Sequence, residues 1–256
     1  TWWRRNEEDE FMKKLKKNTF IQGTIVTSVI LIIIKLLGAL YVIPFYKIIG
    51  TNGGTLYSYA YNIYNLFLNI STAGIPIAIS MIISEYLALN MYDAKERAYK
   101  IGKKIIAFLA IFSFLIVFFG SEYIARFIIS DLTGGNSIED ISYVIKSVSF
   151  CLIIIPFLSV LRGYMQGHKF ITPTSYSQLI EQIVRIIVVL LGSFTVIKVL
   201  KKSVTSGVGV ALLGAFIGGL AAYIYLRIKV KNNKKEFPVA DKKDQVPNKT
   251  IAKKIL

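Results

Sequence analysis

Six long apolar segments, separated by short polar loops, constrain the fold of this chain more than any other feature. A hydrocarbon core of about 30 Å is crossed by roughly 20 apolar residues in helical form, and several of the segments reach that length. Only 18% of the 256 residues are charged, whereas soluble domains carry about a quarter. The sequence therefore predicts an all-α fold, a polytopic bundle of transmembrane helices.

The apolar segments and the polar segments between them divide the chain into four regions. Residues 1–18 form a charged N-terminal segment, 19–229 a six-helix transmembrane lobe, 230–249 a polar linker and 250–256 the start of a seventh helix. Basic residues precede the seventh helix as they precede the first, which is typical of a duplicated transporter. We therefore expect the chain to be one lobe of two, with the second lobe missing from it.

The six spans are expected to be correct to within a few residues at each end. They are predicted at residues 20–46, 56–89 with an interruption at 73–76, 101–119 with an extension to 129 left open, 141–161, 173–199 and 204–228.

The distribution of Lys and Arg predicts the orientation of the chain. Of 31 basic residues, 23 lie in segments 1–18, 90–104, 161–172 and 227–254, and Lys35 and Arg185 lie within spans. The remaining six are Lys47, Arg126, Lys146, Lys198, Lys201 and Lys202. Short cytoplasmic loops are enriched in Lys and Arg, so we expect a multi-pass protein of the cell membrane with both ends of this segment in the cytoplasm. The basic run at 198–202 is a local exception.

Charge and cysteine content exclude several functions. The net charge of +16 does not indicate nucleic acid binding, because the basic residues cluster between apolar segments. The single cysteine, Cys151, cannot form an intrachain disulfide or a zinc site, and His168 belongs to no metal-binding motif. No nucleophile motif or phosphate-binding loop is found. The sequence therefore predicts no cofactor, no metal site and no enzymatic activity.

Ionisable residues inside predicted spans are candidate substrate contacts, because they are costly in lipid. Lys35 lies about fifteen residues into the first span, and Glu181 and Arg185 share one face of the fifth span. Gln178 and Gln182 extend that polar face. Lys35 either faces an anionic substrate in a cavity or snorkels to an interface. The Glu181 and Arg185 pair either lines the cavity or forms an intrahelical ion pair that eases membrane insertion.

Two further patterns lie in the second and sixth spans. Asn62, Asn65 and Asn69 fall on one helical face, where their amides either bind saccharide hydroxyls or hydrogen-bond to other helices. Gly214 and Gly218 have the GxxxG spacing that lets helices approach closely. We interpret the glycines as packing residues.

Three segments resemble a known family: "FIQGTIVTSVILIIIKLLGALYVIPFYKIIG", "YSYAYNIYNLFLNISTAGIPIAISMIISEY" and "RGYMQGHKFITPTSYSQLIEQIVRI". They are similar to the flippase branch of the multidrug/oligosaccharidyl-lipid/polysaccharide (MOP) exporter superfamily, and within it to the MurJ-like and stage V sporulation protein B group. The third segment is the most specific, because its order of residues is hard to obtain by chance. The resemblance covers roughly residues 13–256.

The resemblance implies a MATE-like fold of two pseudo-symmetric lobes around a central cavity. It implies the flipping of an undecaprenyl-diphosphate-linked saccharide, a lipid II-like precursor of the cell wall or of a polysaccharide. In this family cationic cavity residues meet the diphosphate, and Lys35 would take that role here. The implied partners are a polyprenyl-diphosphate-linked glycolipid, membrane lipids, and a second lobe or another copy of the chain.

Two other functions stay open at the level of sequence. A cation-coupled multidrug exporter of the related branch would favour acidic residues in its cavity, whereas Lys35, Glu181 and Arg185 together are net positive. A non-transporting half-lobe scaffold would bind a partner through its GxxxG face.

Overall fold

A computed structural model describes residues 23–72, 74–128, 135–233, 237 and 244–255, and every regular element in these residues is helical. The helices are α1 (residues 23–40), α2 (Val42–Thr72), α3 (Ile75–Ala88), α4 (Tyr92–Phe119), α5 (Ser121–Ile128), α6 (Ile138–Ser149), α7 (Cys151–Gly167), α8 (Ile171–Ile187), α9 (Val204–Asn232) and α10 (Asn248–Ile255). Two π-helical segments, Val188–Gly192 and Thr195–Val199, continue α8. The predicted N-terminal segment, residues 1–18, lies outside the described residues.

The chain reverses direction at Gly50, inside α2. Gly50 has φ 68° and ψ −173°, a conformation that essentially only glycine adopts. The rings of Phe45 and Tyr57 are 5.0 Å apart, although twelve residues of straight helix would separate them by about 18 Å. Gly50 therefore divides α2 into a first arm, which continues α1, and a second arm, which begins the next span.

Helical stretches long and apolar enough to cross a membrane number five in the described chain. They are Gly23–Ala88, Tyr92–Phe119, Ile138–Gly167, Ile171–Val199 and Val204–Asn232. The first contains the reversal at Gly50 and so accounts for two of the six predicted spans. The prediction of an all-α, polytopic transmembrane bundle is confirmed.

The breaks between helices differ in part from the sequence-based expectation. The predicted interruption at 73–76 is confirmed, since Gly74 is left-handed at φ 72° and α3 begins beside it with proline in its first turn. The third span ends at Phe119, as predicted, and the extension that was left open is a separate helix, α5, because a break at Gly120 divides it from α4. The second span begins directly after Gly50 instead of at residue 56, because one glycine completes the turn.

Most spans also extend further than predicted at one end of the lobe. The N-terminus of α1 and the whole of α10 lie at this end, which we call the linker end. Helix α4 begins at Tyr92 instead of 101, α7 runs to Gly167 instead of 161, and α9 runs to Asn232 instead of 228. An apolar segment ends where polar residues begin, but a helix continues for as long as its backbone hydrogen bonds are satisfied. These extra turns carry polar side chains out of the apolar layer.

Close packing of α9 on α8 confirms the interpretation of the GxxxG pattern. A Cβ added to Gly218 would lie 2.5 Å from the carbonyl oxygen of Glu181, and one added to Gly214 would lie 3.1 Å from that of Arg185. The two backbones therefore touch without intervening side chains. This glycine face is used inside the lobe, which removes the surface that the scaffold interpretation required.

The predicted linker is bound to the lobe wherever the structure describes it. The Asp244 carboxylate accepts a hydrogen bond from the Ala94 backbone N–H at 2.8 Å. The Arg97 guanidinium donates to the carbonyl oxygens of Val246, at 2.6 Å, and Asp244, at 3.0 Å. Phe237 is buried and its ring centroid is 5.6 Å from that of Tyr164. These contacts hold the linker against the first turns of α4 and the last turn of α7.

Helix α10 packs against the same end of the lobe. Its Ile251 and Ile255 are buried, and the Lys254 ammonium lies 2.6 Å from a carboxylate oxygen of Glu85. Helix α10 overlaps the segment, residues 250–256, that was predicted to start a seventh helix. Helix α10 begins two residues earlier, at Asn248.

Candidate functional site

A polar stripe runs along the second arm of α2 on the surface of the lobe. Its members recur every three or four residues, and none of them is buried: Thr51, Thr55, Ser58, Asn62, Asn65 and Asn69. A helix rises 1.5 Å per residue, so the stripe is about 27 Å long. Such a row of unburied amides and hydroxyls is costly against hydrocarbon. The stripe therefore faces water or another protein surface.

The hairpin at Gly50 brings Lys35 level with the end of this stripe that lies farther from the turn. Lys35 precedes Phe45 by ten residues and Phe67 follows Tyr57 by ten, and the rings of Phe45 and Tyr57 are in contact across the hairpin. Lys35 is therefore level with Phe67, between Asn65 and Asn69.

Lys35 also lies on the helical face whose later residues line a groove between the two arms of α2. Val42 and Tyr46, seven and eleven residues further on, lie on the face of Lys35. They line a groove of about 830 Å³ together with Ser58 and Asn62 of the stripe. Lys35 is exposed, and among the described residues it has no hydrogen-bond or ion-pair partner.

Glu181 forms an ion pair, but its partner is Arg162 of α7. The Arg162 Nη2 lies 2.8 Å from Glu181 Oε2, and the two side chains are 14% and 20% exposed. The Arg162 Nε donates to the Ser177 hydroxyl at 2.9 Å. Glu181 and Arg185, both described, do not come within ion-pair distance of each other. The intrahelical pair suggested by their spacing was wrong, because a cation on the neighbouring helix has the better geometry.

Arg185 lies beside three tyrosines between α2, α8 and α9. It lines a small cavity together with Tyr57, Tyr61 and Tyr64. The cavity has a volume of about 10 Å³, which suffices for one water molecule. The Arg185 Nε is buried and has no hydrogen-bond partner. Within the described part of the chain, Arg185 makes no hydrogen bond or ion pair.

Lys35 and Arg185 lie about two helical turns apart in depth. Helices α1 and α8 run in parallel, because the Thr27 and Ser175 hydroxyls are 2.8 Å apart near the start of both helices and Gly38 meets the Gln182 amide further along. Lys35 precedes Gly38 by three residues and Arg185 follows Gln182 by three, so their levels differ by about six residues, or about 9 Å. Neither cation has an ion-pair partner among the described residues.

The remaining predicted site residues have different surroundings. Gln182 is buried, and its amide nitrogen would lie 3.3 Å from a Cβ on Gly38, so it packs α8 against α1. Gln178 is half-buried one turn before Glu181. Sequence reasoning missed Arg162, which it counted as a loop residue of the linker end. Only the end of α7 at Gly167 shows that Arg162 is helical and faces Glu181.

Metal-binding and titratable groups elsewhere do not add to this site. In the ranges that the structure describes, no three His, Cys, Asp or Glu residues are grouped so as to hold a metal ion. His168 lies at the linker end, where its Nδ1 is 2.8 Å from the carbonyl oxygen of Tyr164. Burial lowers the pKa of His168 to about 4, so the ring is neutral at physiological pH.

The fold and the polar face define a multi-pass membrane protein built as one helical lobe. Its structure superposes with a TM-score of 0.71 on a MOP superfamily transporter from Pyrococcus furiosus, at 12% sequence identity. The match covers 91% of this chain and 50% of that chain. This likeness supports the expected fold, one lobe of a MOP-type transporter.

Sequence comparison gives the family directly. The profile of the polysaccharide biosynthesis protein family matches residues 20–251, so the chain belongs to that family. It is 37% identical over 210 residues to the lipid II flippase MurJ of Bacillus subtilis (strain 168), covering 80% of this chain and 39% of that protein. It is 27% identical over 221 residues to stage V sporulation protein B of the same organism, covering 86% and 40% respectively. The chain thus spans about two fifths of the length of these relatives.

Proposed function

We propose that this chain is one lobe of a flippase that moves an undecaprenyl-diphosphate-linked saccharide, a lipid II-like precursor, across the cytoplasmic membrane. The observation that carries the proposal is the pair of cations, Lys35 and Arg185, which lie about two helical turns apart in depth and have no ion-pair partner among the described residues. An unpaired cation in a transmembrane helix is costly. A diphosphate group supplies the missing negative charge and itself cannot cross hydrocarbon unaided.

The polar stripe suits the saccharide part of such a substrate. Asn62, Asn65 and Asn69 present amide donors and acceptors that can bind sugar hydroxyls, and Lys35 lies level with the last two. The isoprenoid tail would stay in lipid between the helices while the head group moves along the stripe. Gln178 and Gln182 would hold α8 in register with α1 beside this path, with Glu181 in its ion pair.

A second lobe completes the cavity in this proposal. The stripe and Lys35 lie on a surface of the described lobe, so a single lobe provides one wall only. A second lobe, or another copy of this chain, would cover that surface, and alternating access would expose it to each side in turn. Both ends of this segment would lie in the cytoplasm, with the linker joining the lobes there.

The charge distribution argues against the multidrug exporter. A site for cationic drugs needs an available carboxylate, but the carboxylate of Glu181 is bonded to Arg162. Lys35 and Arg185, which have no ion-pair partner among the described residues, are both positive. An anionic substrate therefore agrees better with the structure.

Native mass spectrometry of the gently purified protein, as its gene encodes it, tests the proposal. The wild type is compared with a Lys35→Ala, Arg185→Ala double variant and with a Lys146→Ala control, which removes an exposed cation of α6. We expect a co-purifying polyprenyl-diphosphate glycolipid in the wild type and the control but not in the double variant. Retention of the glycolipid by the double variant would refute the charge contact. Absence of the lipid from the wild type, with cationic dyes bound and displaced by sodium, would replace the flippase with an exporter.

A further inference from the structure

Glu181 has two arginines within reach, and the structure shows which of them it binds. Arg185 is one helical turn further along α8, the spacing at which acidic and basic side chains commonly pair. Glu181 instead accepts from Arg162, whose Nη2 is 2.8 Å from its Oε2. This choice leaves Arg185 without a direct ion-pair partner among the described residues.

Arg162 is held in place by more than its ion pair. Its Nε donates to the hydroxyl of Ser177 at 2.9 Å, and Ser177 is itself buried and donates to the carbonyl oxygen of Thr174 at 2.6 Å. The next residue, Gly163, lies so close to α3 that an added Cβ would come within 2.4 Å of the carbonyl oxygen of Pro76. The hydrogen bond to Ser177 therefore orients the guanidinium, and the contact of Gly163 with α3 fixes the backbone that carries it.

We propose that Arg162 is a specificity-determining positioning residue, which holds the Glu181 carboxylate away from Arg185 and thereby keeps the potential of this layer positive for an anionic head group. The inference rests on the proposed function for the identity of the ligand. It does not require Arg162 to touch the ligand. Arg162 acts through Glu181, because a carboxylate that is bonded to α7 makes no direct ion pair with Arg185 on its own helix.

Loss of Arg162 has a defined consequence in this arrangement. Glu181 would become an unpaired carboxylate in a partly buried position, which is unfavourable. Rotation toward Arg185 would satisfy it and would remove one of the two positive charges of the site. Removing Arg162 and Glu181 together would leave Arg185 as it is in the wild type.

Binding of undecaprenyl diphosphate to the protein as its gene encodes it, in lipid nanodiscs, provides the first test. We expect Arg162→Gln to weaken binding by about tenfold, the factor that corresponds to about 1.4 kcal/mol. The Arg162→Gln, Glu181→Gln double variant should return to within about threefold of the wild type, and Arg162→Lys should stay close to it. The control is Arg126→Gln, which breaks an exposed Arg–Glu pair of α5.

A second test measures the local charge without any substrate. Gln178→Cys places a thiol one turn before Glu181, in a protein whose buried Cys151 is replaced by alanine. The ratio of modification rates by anionic and cationic methanethiosulfonates reports the sign of the local potential. We expect Arg162→Gln to lower this ratio in favour of the cationic reagent, and the added Glu181→Gln substitution to restore it.

The two tests separate the possible failures. A double variant as weak in binding as Arg162→Gln alone would overturn the inference, since Arg162 would then contact the ligand or support the fold directly. A thiol-reactivity ratio that does not respond to Arg162→Gln would overturn it independently of any ligand. A ratio that responds as expected, in a wild type that binds no diphosphate, would retain the charge arrangement and refute the proposed substrate.

Discussion

Substitution of Gly218 by alanine tests whether direct backbone contact between α8 and α9 positions the Glu181 and Arg185 layer. The new Cβ would lie 2.5 Å from the carbonyl oxygen of Glu181. Ordinary contact begins at 3.4 Å, so the two helices must separate by about 0.9 Å at this point. Insertion of a methyl group into a packed core costs about 1–3 kcal/mol, while alanine is about 1 kcal/mol better than glycine in a helix. We therefore expect a net destabilisation of about 0–2 kcal/mol.

Gly23→Ala is the matched control for this prediction. Its Cβ would meet nothing closer than the Thr172 hydroxyl oxygen at 3.5 Å, which is an ordinary contact. The gain in helix propensity is then shared by both variants, and the difference between them isolates the packing cost of about 1–3 kcal/mol.

Thermal unfolding of the purified variants in detergent, followed by the loss of monodisperse protein, measures this difference. One kcal/mol corresponds to about 2–4 °C for a protein of this size. The Gly218→Ala variant should therefore unfold several degrees below Gly23→Ala. A melting temperature equal to or above that of Gly23→Ala would show that the helices adjust freely, and that their contact does not fix the position of Arg185.

Three further predictions concern the linker end. Arg97→Ala removes the donor to two linker carbonyls, so limited proteolysis should cut between residues 234 and 247 faster than in the wild type, while cleavage elsewhere stays unchanged. Phe237→Ala should lower stability by about 3–5 kcal/mol, because its buried ring contacts Tyr164; an unchanged melting temperature would contradict this. The pKa of His168 is lowered to about 4 from an ordinary value of 6.5. Between pH 6.5 and pH 4 the unfolded chain therefore binds a proton at this residue that the folded chain does not bind. Stability should therefore decrease as pH falls from 6.5 to 4, and less so in His168→Gln.

Hydropathy and charge were sufficient to predict the class of fold. The cost of burying backbone polar groups in lipid leaves helices as the only structure for these long apolar segments, so a bundle of membrane-spanning helices was predicted from hydropathy and segment length alone. The helix breaks at Gly50 and Gly74 both occur at glycines, and the break at Gly74 was predicted from the sequence. The helix ends at Tyr92 and Gly167 were missed, because polar turns outside the apolar layer are stabilised by contacts with other segments.

The candidate site could be predicted only in part. The face shared by Asn62, Asn65 and Asn69 depends on helical periodicity, and the structure places all three on the surface of α2, where periodicity predicts a shared face. Arg185 was singled out from its depth in the fifth span, and it does lie in the membrane-spanning region with no described ion-pair partner. The role of Gln182 at the contact of α8 with α1 could not be inferred, because it depends on how two distant segments pack.

The sequence by itself determined that this chain forms a bundle of transmembrane helices with a few costly ionisable groups inside it. That follows from local properties, namely the length, hydropathy and periodicity of each segment. Only the tertiary structure decided which of those groups neutralise one another. Glu181 has Arg185 four residues away in the chain and Arg162 nineteen residues away, yet α7 brings Arg162 to 2.8 Å. Charge compensation depends on distances between helices, and these are set by close contacts such as that of Gly163 with α3, which no single segment encodes.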